Sequence, residues 1–350
     1  MNYLIITIDV EGPKGEGFDS SNPVENFIWC RDSSGNSYGI EMIMDMLDSF
    51  DIKGLFFVDL AEVFDYGKPP IANVIEKIEE RGHQLGVHLH PNHMFDEKRH
   101  FLYQYTYEEQ YLMISKCTRM FEDIVGRKPL YFRAGKYSAN YDTLNILCEL
   151  GYKYDFSEYF KSKWCGLTPP ITADMPCRYR TIIEIPVTTF YSIKLPFYKR
   201  VDKIDLEMAS VGHDYVIKRI ARLDKSIAIL FLHSFSFVDW RENPETPKFN
   251  KKKYKKVLKN LKRTLNTNDI VVIDPSQIDN YIDNNNIDLL NNEKCRIAID
   301  NPFLSYVFIM ATANRIKKTN MRARLLWIGN SLAISAIVVL IFVYALWLSR

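Results

Sequence analysis

The sequence predicts an α/β fold, a distorted barrel of seven or eight parallel strands surrounded by helices. Over residues 1–280, short apolar runs alternate with longer segments of helical pattern, which is the order of parallel strands covered by helices. Side chains with catalytic potential recur where these strands end, as they do at the active-site face of β/α barrels. An open nucleotide-binding sheet would carry a glycine-rich phosphate loop after its first strand, and the loop at residues 12–17 lacks that pattern.

The predicted elements follow one another in strand–helix order. Each strand corresponds to a short apolar run: residues 3–9, 53–58, 84–90, 130–133, 152–156, 182–186, 228–233 and 269–273. The helices correspond to the longer patterned segments: residues 38–50, 70–81, 107–125, 140–150, 206–223 and 251–265.

The C-terminal part of the chain differs in composition from the predicted barrel. After the barrel at 1–280 we expect an asparagine-rich polar linker at 281–300 and an amphipathic, basic juxtamembrane segment at 301–324. Residues 325–348 are an uncharged apolar run of 24 residues, and a bilayer core of about 30 Å needs roughly 20. This run predicts a single transmembrane helix.

Basic residues set the expected orientation of that helix. Five Lys or Arg residues between positions 315 and 324 precede the apolar run, and only Arg350 follows it. The positive-inside rule then places the preceding chain in the cytoplasm. We therefore expect a cytoplasmic catalytic domain tethered to the lipid bilayer by a C-terminal anchor.

Composition excludes several functional classes. The formal net charge of +2 is too small to indicate a nucleic-acid partner. The six cysteines form no C-x-x-C pair, so neither a zinc ribbon nor a thioredoxin-like motif is present. A metal site in this chain would have to use carboxylates and imidazoles.

Two pairs of such residues end predicted strands at a spacing of two. Asp9 and Glu11 follow the first apolar run, and His88 and His90 end the third, with His93 close behind. A spacing of two places each pair on one face of its strand. Carboxylate and imidazole together suit a borderline divalent cation, and a catalytic site typically keeps one position open for water. The pattern predicts that these residues converge on one such ion, by default zinc, with iron, cobalt, nickel and manganese as alternatives.

Four motifs in chain order resemble those of the polysaccharide deacetylase family, the NodB-homology type of carbohydrate esterase family 4. T-I-D-V-E-G at 7–12 resembles the first motif, T-F-D-D-G, and G-H-Q-L-G-V-H-L-H-P-N-H at 82–93 resembles the second, G-H-E-[IV]-G followed by H-[ST]-x-x-H. F-R-A-G-K-Y at 132–137 and F-L-H-S at 231–234 are similar to the third, R-x-P-x-G, and the last, L-x-H. The resemblance covers roughly residues 1–275 and excludes the tail.

The resemblance implies a distorted (β/α) barrel that removes an N-linked acyl group, typically acetyl, from an amino sugar with one divalent cation. In this chain Asp9 corresponds to the general base, and Glu11 and His88 correspond to metal ligands. Arg133 corresponds to the residue that holds the base, and His233 to the general acid that protonates the departing amine.

The second imidazole ligand stays open at this point. Asn92 stands where the family has its second histidine, four residues after His88. Strand alternation favours His90 as the replacement, and loop reach favours His93.

Two other motifs also depart from the family pattern. The third motif lacks its proline, and the family's aspartate–tryptophan signature is echoed only by Tyr154-Asp155-Phe156. Asp155 is therefore a candidate partner of Arg133 or His233.

Three functions agree with these features. The leading expectation is a membrane-anchored N-deacetylase that acts on an amino sugar in a glycan, or in a lipid-linked or nucleotide-linked glycan precursor. A second is an amide hydrolase on the same barrel that opens a cyclic amide or ureide. The third, supported by the irregular second motif, is a catalytically inactive binding module tethered to the membrane.

Overall fold

The computed structural model describes residues 2–13, 20–168, 176–195, 198–223 and 226–284. The predicted transmembrane helix at 325–348, the segment at 301–324 and most of the linker predicted at 281–300 lie outside these residues. No helix within the described ranges is long and apolar enough to cross a membrane.

The described residues contain a series of mostly short strands and helices. The strands are β1 (Asn2–Val10), β2 (Leu55–Asp59), β3 (Gln84–Leu89), β4 (Tyr131–Ala134), β5 (Tyr154–Asp155), β6 (Cys177–Tyr179), β7 (Ile182–Glu184), β8 (Thr189–Leu195), β9 (Tyr198–Lys203), β10 (Ile227–His233), β11 (Val238–Asp239), β12 (Lys248–Phe249) and β13 (Ile270–Val272). The α-helices are α1 (Ile40–Asp48), α2 (Val63–Tyr66), α3 (Lys68–Glu80), α4 (Tyr107–Val125), α5 (Tyr141–Leu150), α6 (Ser210–Ile220), α7 (Lys251–Leu265) and α8 (Ile278–Asn284).

One mostly parallel sheet forms the centre of the molecule. Its strand order is β10-β1-β2-β3-β4-β5-β7-β6, and β13 also pairs with β1. The pairs are parallel except that of β6 with β7. All eight predicted strands belong to this sheet, so the prediction of parallel strands covered by helices is confirmed.

The sheet curves without a continuous ladder between β7 and β10. Two single hydrogen bonds cross this gap: the Ile229 N–H donates to Thr188 Oγ1 at 2.7 Å, and the Leu206 N–H donates to the Phe231 carbonyl at 3.2 Å. This interrupted seam gives the predicted barrel its distorted form.

The inner face of the sheet changes from apolar to polar along the strands. On β1, Tyr3 and Ile5 pack in an apolar cluster with residues from the neighbouring strands, and Thr7 and Asp9 continue the same face. Because side chains alternate along a strand, the polar residues are presented at the C-terminal end of the barrel. This is the end at which the candidate site residues were predicted.

Residues 278–284 form helix α8, where the sequence analysis expected the barrel to end and a polar linker to begin. Ile278 and Ile282 are spaced by one helical turn and are 1% and 5% exposed, packed in the apolar cluster inside the barrel. Asp279 accepts hydrogen bonds from Lys153 and Tyr154. The linker prediction is therefore wrong for residues 281–284, because two isoleucines bury a segment whose composition is mostly polar.

The antiparallel hairpin of β8 and β9 was not predicted. It lies between the seventh predicted strand and helix α6 and forms a small sheet of its own. The expected helix at 206–223 is correspondingly shorter, since α6 begins at Ser210. The hairpin brings Lys203, its last residue, to the candidate site described below.

The Asn2 side chain provides a test of how firmly β1 is anchored. Its amide donates to the carbonyls of Ala221 and Leu223 at 3.2 and 2.7 Å and accepts from the backbone and hydroxyl of Ser226 at 3.0 and 2.9 Å. Asn2→Ala leaves buried partners without hydrogen bonds and should lower the free energy of unfolding by about 2–4 kcal/mol, measured in urea. The exposed Asn268→Ala is the control, expected to stay within about 0.5 kcal/mol. Equal stability of the two variants would contradict this account.

Candidate active site

Glu11, His88 and His90 converge at the C-terminal end of β1 and β3. Glu11 Oε2 lies 3.0 Å from His88 Nε2 and 2.8 Å from His90 Nε2. One potential ligand atom from each of the three residues lies within 4.8 Å of the other two. A tetrahedral ion with bonds of about 2.0–2.1 Å separates its ligand atoms by roughly 3.3 Å. Small outward shifts of these side chains would therefore accommodate a divalent cation.

The orientation of the His88 ring is fixed from behind. Its Nδ1 lies 2.8 Å from the carbonyl oxygen of Arg133. Because a carbonyl can only accept, Nδ1 carries the proton and Nε2 faces Glu11. Metal-binding histidines commonly donate their other ring nitrogen to a carbonyl or carboxylate in this way.

Electrostatics within the cluster already favour a cation. Burial disfavours a charged imidazole, but the carboxylates of Asp9 and Glu11 outweigh it and raise the pKa of His88 to about 9. Burial likewise disfavours ionised Glu11, but His90 and His88 outweigh it and lower the pKa of Glu11 well below its usual value. One carboxylate and two imidazoles with a cationic preference fit a divalent ion and leave coordination positions open.

The structure does not bring His93, the alternative imidazole, to Glu11 and His88. After β3 the chain enters a tight 3₁₀ turn at Pro91–His93. His93 instead groups with Asp59 and Glu62, and its Nδ1 lies 2.5 Å from Asp65 Oδ2. Burial and the charge of Asp59 raise the pKa of Glu62 well above its usual value. The residue that joins Glu11 and His88 is His90, as strand alternation favoured.

Asp9 forms a buried ion pair with Arg133. The Arg133 Nη1 lies 2.6 Å from Asp9 Oδ1, and its other nitrogens donate to Thr7 Oγ1 at 3.1 Å and the Phe156 carbonyl at 3.3 Å. The Arg133 side chain is fully buried, and its guanidinium lies 4.2 Å from the centroid of the Phe57 ring. These contacts hold one Asp9 oxygen, while Oδ2 lies 4.0 Å from His88 Nε2.

His233, at the end of β10, approaches the cluster from the opposite side of β1. Its Nε2 lies 3.6 Å from Glu11 Oε1, and its ring stacks on Phe235 with centroids 4.8 Å apart. The parallel pairing of β1 with β10 sets Asp9 directly beside His233 in register. Burial lowers the pKa of His233, with Lys203 acting in the same direction.

Asp155 lies away from the residues it was expected to contact. It accepts a hydrogen bond from Ser157 Oγ at 2.5 Å and pairs with Glu184, which is also buried. No hydrogen bond or ion pair joins Asp155 to Arg133 or His233, all of which belong to the described part of the chain. The expectation that Asp155 is their partner is wrong because Asp9, Thr7 and Phe156 already fill the donor positions of Arg133.

Lys203 is a site residue that the sequence analysis missed. Its Nζ donates to Tyr137 Oη at 2.9 Å and lies 3.3 Å from the centroid of the Phe231 ring. Burial outweighs the carboxylate of Asp9 and lowers the pKa of Lys203 to about 8. No motif marked this lysine, since only the unpredicted β8–β9 hairpin brings it to the site.

A cavity of about 590 Å³ opens over these groups. Besides the cluster residues it is lined by aromatic rings and by cationic side chains: Phe101, Tyr137, Trp164, Trp240, Lys136, Lys203 and Arg241. Lys136 and Tyr137 both have a left-handed backbone, with φ of 53° and 59°. Such strain in non-glycine residues clusters at functional sites.

Part of this region matches a known family. Residues 33–154 match the model of the polysaccharide deacetylase family. The chain carries a polysaccharide deacetylase domain. The matched segment contains His88, His90 and Arg133, and the geometry adds Asp9, Glu11 and His233 from outside it.

Solved structures share the fold. A polysaccharide deacetylase from Mycobacterium smegmatis is 15% identical, with 82% of this chain and 92% of that chain covered and a TM-score of 0.50. A family 4 carbohydrate esterase from Streptomyces lividans is 10% identical over 77% and 91% of the two chains, with a TM-score of 0.39. Puue allantoinase is 12% identical over 80% and 90%, with a TM-score of 0.47. A search among curated proteins found no match to this sequence.

Gly135 tests how the His90 ring is held. A Cβ at this position would lie 2.6 Å from His90 Cγ and 2.7 Å from the Leu89 carbonyl oxygen. Gly135→Ala should therefore displace the ring and weaken metal affinity by about 10- to 100-fold, measured by chelator competition. The matched control is Gly54→Ala, whose Cβ would crowd Leu47 at 2.9 Å at the other end of the sheet. The control should lose stability and keep its metal affinity, so similar affinity losses in both variants would refute the account.

Proposed function

We propose that this chain is a metal-dependent hydrolase that removes an N-acyl group, specifically acetyl, from an amino sugar. The observation that carries the proposal is the convergence of Glu11, His88 and His90 beside the Asp9–Arg133 pair, with His233 at 3.6 Å from Glu11. These are the groups that amide hydrolysis requires: a cation site, a positioned base and a positioned acid.

Glu11, His88 and His90 would hold the ion. When bound there, a divalent cation supplies a Lewis acid that polarises an amide carbonyl and makes water more acidic. Zinc is the default for this set of ligands, and iron, cobalt, nickel or manganese would also bind.

Asp9 serves as the general base. Arg133 holds its Oδ1, which leaves Oδ2 facing the cavity on the side of His88. That oxygen can accept the proton of the water that attacks the acyl carbon. Arg133 acts as a positioning residue, since it is buried behind Asp9 and does not line the cavity.

His233 serves as the general acid. It lines the cavity, and its ring is held between Phe231 and Phe235. Its lowered pKa means that the imidazolium releases its proton readily. The proton goes to the amide nitrogen as the carbon–nitrogen bond breaks, so the products are the carboxylate and the free amine.

The cavity wall suits a sugar attached to an anionic group. Trp164, Trp240 and Phe101 offer faces for the apolar side of a sugar ring, and Lys203 and Arg241 offer charge to a phosphate. We therefore propose a nucleotide-linked or lipid-linked glycan precursor as the substrate. The apolar run at 325–348 supports the lipid-linked form, with the catalytic domain on the cytoplasmic side of the membrane.

Acetate release from N-acetylglucosamine donors tests the activity. Asp9→Asn and His233→Ala should each lower kcat by about 10²- to 10⁴-fold, because each removes one proton-transfer group. His88→Ala should lose both bound metal and activity. His100→Ala removes a histidine outside the cavity lining and should keep both. Absence of acetate with every acetamido donor, or hydrolysis of a cyclic ureide in its place, would contradict the proposal.

Lys203 tests the proposed substrate class. Lys203→Met should raise KM for UDP-N-acetylglucosamine by about 10-fold or more, because one charged hydrogen bond contributes about 1.5–3 kcal/mol, and it should leave KM for the free sugar nearly unchanged. Lys116→Met, on the outer helix α4, is the control. An equal rise in KM for both donors would mean that Lys203 acts through Tyr137 and not on a phosphate.

A further inference from the structure

A second group of potential ligands lies next to the candidate active site. Asp59 ends β2, Glu62 follows in the next turn, and His93 ends the 3₁₀ turn after β3. One ligand atom from each lies within 4.8 Å of the other two. Asp59 and Glu62 are fully buried and His93 is 6% exposed.

These carboxylates have no cationic partner among the described residues. Asp59 accepts only backbone N–H groups, from Ala61 at 2.9 Å and from His90 at 3.2 Å. Glu62 Oε1 accepts from the Gly12 N–H, and its buried Oε2 has no hydrogen-bond partner in the described part of the chain. Buried carboxylates without a compensating charge are costly, and proteins compensate them with a partner or a metal ion.

We propose that Asp59, Glu62 and His93 hold a second divalent cation, separate from the one at Glu11, His88 and His90. Two carboxylates and one imidazole make an oxygen-rich set, which shifts preference toward manganese relative to the first group. His93 also lines the catalytic cavity, so an ion can reach the cluster from that side. Asp65, at 2.5 Å from His93 Nδ1, fixes the ring.

The position of this ion gives it a bracing role. Asp59 accepts the N–H of His90, and Glu62 accepts the N–H of Gly12, the residue after Glu11. A cation that holds both carboxylates therefore steadies the two backbone segments that carry ligands of the first site. This coupling does not depend on which amide the enzyme hydrolyses.

The competing explanation is a proton shared between Glu62 and Asp59. Glu62→Gln separates the two, because glutamine matches a protonated glutamate in shape. It would satisfy a shared-proton arrangement without loss of stability, whereas it would remove one anionic ligand from a metal site.

Metal content of the full chain provides the test. The protein is loaded with Mn²⁺ or Zn²⁺, freed of unbound ion by gel filtration and measured by elemental analysis. We expect two ions per chain in the wild type and one in Glu62→Gln, in His93→Gln and in His88→Ala. The combined Glu62→Gln and His88→Ala variant should hold none. Glu184→Gln, which alters another fully buried carboxylate outside the cluster, should keep two.

The outcomes separate this proposal from the proposed function. One ion in the wild type that is lost in His88→Ala but kept in Glu62→Gln overturns the second site and leaves the first intact. One ion lost in Glu62→Gln but kept in His88→Ala supports the second site and refutes the first. Thermal melting in EDTA gives a further readout. A Glu62→Gln variant that melts with the wild type in EDTA and below it in Mn²⁺ supports the metal site, and equal melting in both conditions overturns it.

Discussion

The buried ion pair between Arg133 and Asp9 is the interaction on which the rest of the site depends. The Arg133 side chain contacts β1 through Asp9 and Thr7, and β5 through the carbonyl of Phe156, which directly follows that strand. Its backbone carbonyl fixes the ring of His88 on β3. A guanidinium with no exposure is tolerated only when its charge and donors are satisfied. The same contacts that satisfy it therefore hold the base and one metal ligand in place.

Much of this site could be predicted because strand alternation is a short-range signal. Asp9 with Glu11, and His88 with His90, share a face by spacing alone, and the parallel register then brings the strand ends together. The same signal identified the eight strands of the central sheet. The fate of His93 could not be predicted, because it depends on how the chain turns after Pro91 and on Asp65, 28 residues away in the sequence.

The features that sequence reasoning missed depend on distant contacts. Lys203 reaches the site through a hairpin whose strands pair only with each other, and no motif surrounds it. Helix α8 is mostly polar, and only its burial of Ile278 and Ile282 inside the barrel distinguishes it from a linker. Asp59 and Glu62 look like ordinary surface acids in the sequence, and their burial becomes evident only from the packed fold. Composition and periodicity carry little information about such contacts.

The seam between β7 and β10 has a consequence for how such a barrel can diversify. Elsewhere a backbone ladder fixes the distance between neighbouring strands at about 4.8 Å. Here the bonds at Thr188 and Leu206 leave that distance to side chains and to the connecting hairpin. The girth of the opening can thus change by substitution along one edge, and the opposite edge, with its acids and imidazoles, keeps its register. Evolution can in this way fit bulkier or slimmer glycans to an unaltered reaction centre.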